Sequence, residues 1–233
     1  MKVIDVRSFD ELHNAFQKYC GSATWIFRGQ CDDPSWTLVP KAGRGKIRID
    51  DENLFRAWKR HAYAYEKRVI NSDWEWLTIA QHHGLTTRLL DWTRNPLAAT
   101  FFAIEHTQNH EGELNAAVFS YNNKAWGVGK ADEPPNDPFK NAPIDVVKKF
   151  VPRSITQRLV MQQGIFTYHN PPKKSLESAI EHDEDLEKIV IPRNVLGEIR
   201  KILSYYGINK RTLFPDYDGL SEYMNWFYGT DYK

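Results

Sequence analysis

Four polar residues stand where apolar neighbours would be expected. Arg28 closes the aromatic and β-branched run Trp25-Ile26-Phe27 and is followed by Gly29. Asp91 and Thr93 follow Leu89-Leu90 and precede Asn95-Pro96, an N-cap and first-turn pair that starts a helix. Gln162 precedes Gln163 and the run Gly164-Ile165-Phe166-Thr167-Tyr168. Ligand sites of open sheets lie where a strand end feeds a helix, and Asp91 to Arg94 occupy such a hinge. An arginine fork matches phosphate oxygens. The competing reading is structural: Asp91 pairs with Arg88 or Arg94 and caps local backbone.

The elements that must position these residues are legible from periodicity. Ser8-Phe9-Asp10-Glu11 is a capping box ahead of a short amphipathic helix bearing Leu12, Phe16 and Tyr19. Residues 25–30 read as a strand, and 31–48 as a surface loop whose basic cluster Lys41, Arg44, Lys46 and Arg48 is either solvated or phosphate-binding. A long helix is expected from Asp51 to Ile70, on Leu54, Phe55, Trp58, Tyr65 and Val69. Ser72 starts another, which runs to Gln81-His82-His83 and is closed by a left-handed Gly84. Two adjacent helical histidines point in different directions, so a structural or substrate-contacting role suits them better than a shared metal.

Strands are expected at 88–93, 116–121, within 144–151, at 164–169 and at 188–191, with the helix from Pro96 buried by an apolar residue at nearly every turn. Ser154 can cap a short helix containing Arg158, and further helices are expected over Ser175–His182, over Pro192–Tyr206 and from Asp218. Extended chain puts Gln162, Gly164, Phe166 and Tyr168 on one side, either lining a ligand cleft or packing on the core. Pro134, Pro135, Pro138 and Pro143 mark an irregular surface segment or lid. The irregular alternation of elements favours α+β with one mixed sheet core and surrounding helices.

At 233 residues the chain is long enough to bury a sizeable core. Its 31 basic and 30 acidic residues nearly cancel, which excludes a bulk positive field of the kind that holds nucleic acid by phosphate neutralisation, though not a local patch. Two cysteines, Cys20 and Cys31, make neither a disulfide framework nor a zinc site by themselves. With no long apolar run and no secretion-signal pattern at the start, a cytoplasmic protein without membrane attachment is expected. Trp36, Trp126 and Tyr228 fall outside clear periodicity, as candidates for a pocket wall or for core.

Phe27-Arg28-Gly29, then QHHGLTTRLLDWTRNPLAATFFA, then RLVMQQGIFT, and finally Leu213-Phe214-Pro215 resemble the FRG-domain family over about residues 23–220, within a chain expected to form one domain. The family name implies no reaction; the resemblance implies a bacterial or phage protein, with a toxin or defence role as one expectation. The order of Arg28, then Asp91 to Thr93, then Gln162 or Gln163 is also similar to that of ADP-ribosyltransferases. That likeness implies their fold and NAD as substrate, with no metal. In it Arg28 would hold the pyrophosphate, Gly29 would let the backbone approach, and Asp91 and Thr93 would position the nicotinamide ribose. Gln162 would bond the ribose hydroxyls, Phe166 or Tyr168 would stack on the nicotinamide, and His83 and Arg88 would complete the cofactor contacts.

The acceptor would be a protein, a nucleic acid or water. These transferases usually carry glutamate at the third motif, and a neutral glutamine stabilises a developing cation less. A non-catalytic nucleotide- or nucleic-acid-binding module and a protein-interaction domain are the alternatives. A hydrolase built on His82, His83 and Asp91 is weaker, because no serine or cysteine nucleophile stands in a recognisable setting.

Overall fold

The computed structural model describes residues 1–45, 50–110, 112–123, 137–140, 144–153 and 156–229. Lys46, Arg48, Trp126, Pro134, Pro135, Pro143 and Ser154 lie outside them. Strands β1 (Lys2–Asp5), β2 (Trp25–Cys31), β3 (Leu89–Thr93), β4 (Ala116–Asn122), β5 (Val146–Phe150), β6 (Gly164–Asn170) and β7 (Leu186–Ile191) form one sheet in the order β1-β7-β4-β2-β3-β6-β5. Only β1 and β7 run parallel; every other neighbouring pair is antiparallel. With helices α1 (Phe9–Gln17), α2 (Asp51–Ala62), α3 (Asp73–His82), α4 (Pro96–Gln108), α5 (Gln157–Met161), α6 (Leu196–Tyr205), α7 (Lys210–Leu213) and α8 (Tyr217–Gly229), the fold is α+β.

Strand alternation divides the core by sheet face. Phe27, Val118, Ile189 and Ile191 face α1, α4 and α6 on one half of the sheet, and Leu89, Phe166, Tyr168 and Phe150 meet α2 and α3 on the other half of that same face. The opposite face carries Ile26, Leu90, Trp92, Phe119 and Ile165, covered by Leu38 and Leu176 from two loops. One side of the sheet is thus under helices and the other under irregular chain.

The central helix behaves as its sequence requires. The Asn95 side chain accepts from the backbone amides of Leu97 and Ala98, Pro96 opens the first turn, and seven residues of α4 are buried. It lies so close to β2 that a Cβ on Gly29 would fall 1.8 Å from the Ala99 carbonyl oxygen and 2.4 Å from the Ala103 nitrogen. Gly29 therefore lets helix and sheet approach, and the space it leaves is filled by α4 rather than open to a pyrophosphate.

Several local expectations are corrected. The helix expected to reach Ile70 ends at Ala62, and Tyr65 and Val69 are 86% and 85% exposed: their helical spacing meets no neighbour to bury it. The short helix carrying Arg158 is capped by Thr156, whose hydroxyl accepts from the Leu159 amide. No helix forms over 175–182, because the Leu176 amide donates to the Leu38 carbonyl and the Glu177 carboxylate accepts from the Leu38 amide. Strand β1 escaped the sequence reading; three of its four residues are exposed, so it has no apolar alternation. Gly84, at φ +83, closes α3 as expected, with the Leu85 amide donating back to the Ala80 carbonyl.

Candidate functional site

Strands β2 and β3 touch at a single bridge, Phe27 opposite Thr93, whereas β2 pairs with β4 along its whole length. Beyond the bridge the two strands part. Arg28 is the first residue past it, and its Nη1 donates across the gap to the backbone carbonyl of Asp91 at 2.8 Å. Arg28 is thus in mid-strand rather than at a strand end, and nearly buried. Its Nε is buried with no hydrogen-bond partner among the described residues. Burial lowers its pKa to about 10, against the pull of the Asp91 charge and with added repulsion from Arg44. The group is still a cation at neutral pH, and the lowered value measures how poorly its charge is compensated.

Asp91 emerges exposed on the helix-covered face. Its Oδ2 accepts from Gln81 Nε2 at 2.8 Å, and Gln81 Oε1 accepts from the Thr87 hydroxyl at 2.5 Å, so α3 fixes the carboxylate. The field of Asp91 acts on Arg28, Arg44 and Arg158 alike. In both Arg44 and Arg158 partial burial lowers the pKa and Asp91 opposes it; for Arg158, Asp216 opposes it too. Three guanidinium groups lie within electrostatic range of one carboxylate, and the positive charge in excess suits an anionic ligand. Arg44 Nε donates to the Val39 carbonyl, while the Arg158 guanidinium stacks 4.2 Å above the Phe214 ring and has no hydrogen-bond acceptor among the described residues.

The other expected site residues are placed differently. The Thr93 hydroxyl donates to the Gln162 carbonyl at 2.6 Å and accepts from the Asn95 amide, so it ties the turn before β6 to the start of α4. Gln162 spends its side-chain amide on the Leu213 carbonyl at 3.0 Å, and it precedes β6 instead of lying within it. Gln163 is exposed at φ +48. Phe166 stacks on Phe150, and Tyr168 is wholly buried beneath Trp74 with its hydroxyl donating to the Pro138 carbonyl; both rings are core, because α3 covers the face that was expected to line a cleft. Arg88 forms a buried two-point ion pair with Asp51 at 2.7 and 2.9 Å instead of pairing with Asp91, and its Nη1 donates to Tyr168 and Asn170. His83 is the exposed C-cap of α3, and Arg94 is exposed. Trp36 and Tyr228 are exposed as well.

Arg158 and Asp216 were not singled out by sequence reasoning, although each lies beside a motif that was. Tertiary contacts bring the motifs together: Gln162 binds Leu213, Arg158 covers Phe214, and the Thr156 hydroxyl is 3.4 Å from His82 Nδ1. An open cleft of about 390 Å³ lies where these segments meet. Among the described residues no group of three histidine, cysteine or carboxylate side chains could hold a metal ion, and no helix is long and apolar enough to cross a membrane.

Fold and site together define an α+β fold whose sheet parts between β2 and β3, with Arg28 reaching across the gap. Residues 23–112 match the family model of the FRG domain, and that segment is similar to the FRG-domain family. The match takes in Arg28, Arg44 and Asp91 and stops short of Arg158, Gln162 and Leu213. No curated protein and no solved structure gives a significant match.

Proposed function

We propose that this domain binds a phosphate-bearing nucleotide, its phosphate held by Arg28, Arg44 and Arg158 beside Asp91. The observation that carries this reading is that one exposed carboxylate acts electrostatically on three arginines, buried Arg28, half-buried Arg158 and exposed Arg44, with Arg28 Nε lacking an acceptor among the described residues. A buried cation without full compensation gains free energy when an anion arrives, and forked donors select phosphate. NAD is the first nucleotide to test, given the likeness in motif order to ADP-ribosyltransferases.

Transfer of ADP-ribose to a protein or nucleic-acid acceptor, with the toxin or defence role attached to it, is the second reading. It is favoured by Asp91, an exposed carboxylate within the arginine group. Two facts weigh against it. The third-motif amide is committed to Leu213, and surrounding arginines oppose the positive charge that develops as a glycosidic bond breaks. A cytoplasmic location fits either reading.

Calorimetric titration of the purified protein with NAD, ADP-ribose and inorganic phosphate, alongside chromatographic detection of nicotinamide, separates the two. Binding that weakens with added salt, without nicotinamide release, is the expected result. Release in the presence of an added protein or nucleic-acid acceptor, with ADP-ribose appearing on that acceptor and both lost in Asp91→Asn, would establish the transferase reading instead, and failure of all three ligands to bind would end both.

A further inference from the structure

The cleft between the end of α3, the start of α5 and the segment leading into α8 is lined by His82, Thr156, Gln157, Arg158, Pro215 and Asp216. Its volume of about 390 Å³ lies within the roughly 300–1,000 Å³ typical of small-molecule sites. Arg68 lines it too, its charge paired with Glu66. Arg158 lines the cleft beside Asp216 and is also within electrostatic range of Asp91.

Three lining groups carry unused hydrogen-bonding capacity among the described residues. The Arg158 donors have no acceptor, the Gln157 amide has no partner, and Asp216 uses Oδ1 to accept from the Gly219 amide at 2.7 Å while Oδ2 accepts nothing. Burial, reinforced by Arg158 and His83, lowers the His82 pKa to about 4, so at neutral pH its ring offers one donor and one acceptor. A second phosphate is disfavoured here by the open carboxylate oxygen, and an apolar ring finds little to pack against. Hydroxyl groups, which donate to a carboxylate and accept from an amide or guanidinium, match the inventory.

We infer that this cleft binds the ribose hydroxyls of the nucleotide whose phosphate the arginine group holds, with the Arg158 fork between the two parts. The inference rests on the phosphate reading. Its test compares AMP, 2′,3′-dideoxy-AMP and inorganic phosphate by calorimetry on the full chain. The wild type binds AMP at least about tenfold more tightly than the dideoxy analogue, the effect of one charge-assisted hydrogen bond. Asp216→Asn keeps an acceptor for the Gly219 amide, and Gln157→Ala alters an exposed side chain, so both variants fold; each brings the ratio of the two affinities toward one. If the wild type binds phosphate and both nucleotides but does not distinguish AMP from its dideoxy analogue, or if both variants keep the wild-type ratio, this inference fails and the phosphate reading stands. If no phosphate-bearing probe binds, both fall.

Discussion

Single side chains in this protein separate charge from stability. Arg28 is a buried cation with one bond to a backbone carbonyl and an orphaned Nε, so its presence costs the fold more than an apolar residue of the same length would. Arg28→Met is therefore expected to melt at or above the wild-type temperature while losing phosphate affinity. Arg28→Lys, whose compact ammonium lacks the fork, is expected to be less stable by about 1–3 kcal/mol and to bind phosphate at least about tenfold more weakly. Thermal melts and titrations of the same preparations check both. A Met variant that fails to fold would show the arginine to be needed for structure.

His169 gives a second residue-scale expectation. It is fully buried on the loop-covered face, with Nδ1 at 2.7 Å from the Lys174 carbonyl and Nε2 at 2.9 Å from the Thr167 hydroxyl. A carbonyl can only accept, so Nδ1 carries the proton, Thr167 donates to Nε2, and Trp92 Nε1 donates to Thr167 at 3.0 Å. Burial lowers the His169 pKa to about 4, although the bond to Lys174 opposes the shift. Between that value and the ordinary 6.5 the unfolded state binds more protons, so stability is full above pH 6.5 and falls as pH drops toward 4. The full shift is worth about 3 kcal/mol. In denaturant titrations across this window His169→Gln should show a visibly shallower pH dependence than the wild type.

Among elements, the contact between α4 and β2 has the least tolerance. Gly29→Ala would drive a methyl group into backbone atoms of a buried helix, and neither element can move without disturbing the sheet, so a loss of about 3 kcal/mol or more is expected. Gly197 is the control. It is an exposed helical glycine in α6 with nothing within 4 Å of the place an added methyl group would take, and Gly197→Ala should stabilise by about 0.5–1 kcal/mol. Chemical denaturation of the two variants should therefore move in opposite directions. The junction of α2 with β3 depends on Asp51 and Arg88; Asp51→Ala strands a buried guanidinium and is expected to cost about 3–5 kcal/mol by the same measurement.

At the scale of the molecule, the segment matched by the family model is not self-sufficient. Residues 23–112 hold β2 and β3, which share one bridge, while their full-length partners β4 and β6 come later in the chain. A fragment of residues 23–112 is expected to show little cooperative structure by circular dichroism, whereas the whole chain should unfold cooperatively. A fragment that melted sharply would mean that α2, α3, α4 and two strands hold without their neighbours.

The sequence by itself determined the elements with strong local signals: the Asn95-Pro96 start of α4, the Gly84 stop of α3, and the apolar strands around Arg28, Asp91 and Ile165. Capping, left-handed turns and hydrophobic periodicity act within a few residues, so they can be read along the chain. It also marked Arg28 and Asp91, because polar residues at the joints of apolar runs are conspicuous. Only the tertiary structure decided which partners they meet. Arg88 went to Asp51, 37 positions away, and Gln162 to Leu213, 51 away, while Phe166 and Tyr168 became core because α3 happens to cover their face. Half-burial of a strand says nothing of what lies over it, and a charged group takes whichever counter-charge or carbonyl the packing of distant elements leaves nearest. That Arg44 and Arg158 come within electrostatic range of Asp91 is a result of that packing, and so is the cleft that Arg158 lines.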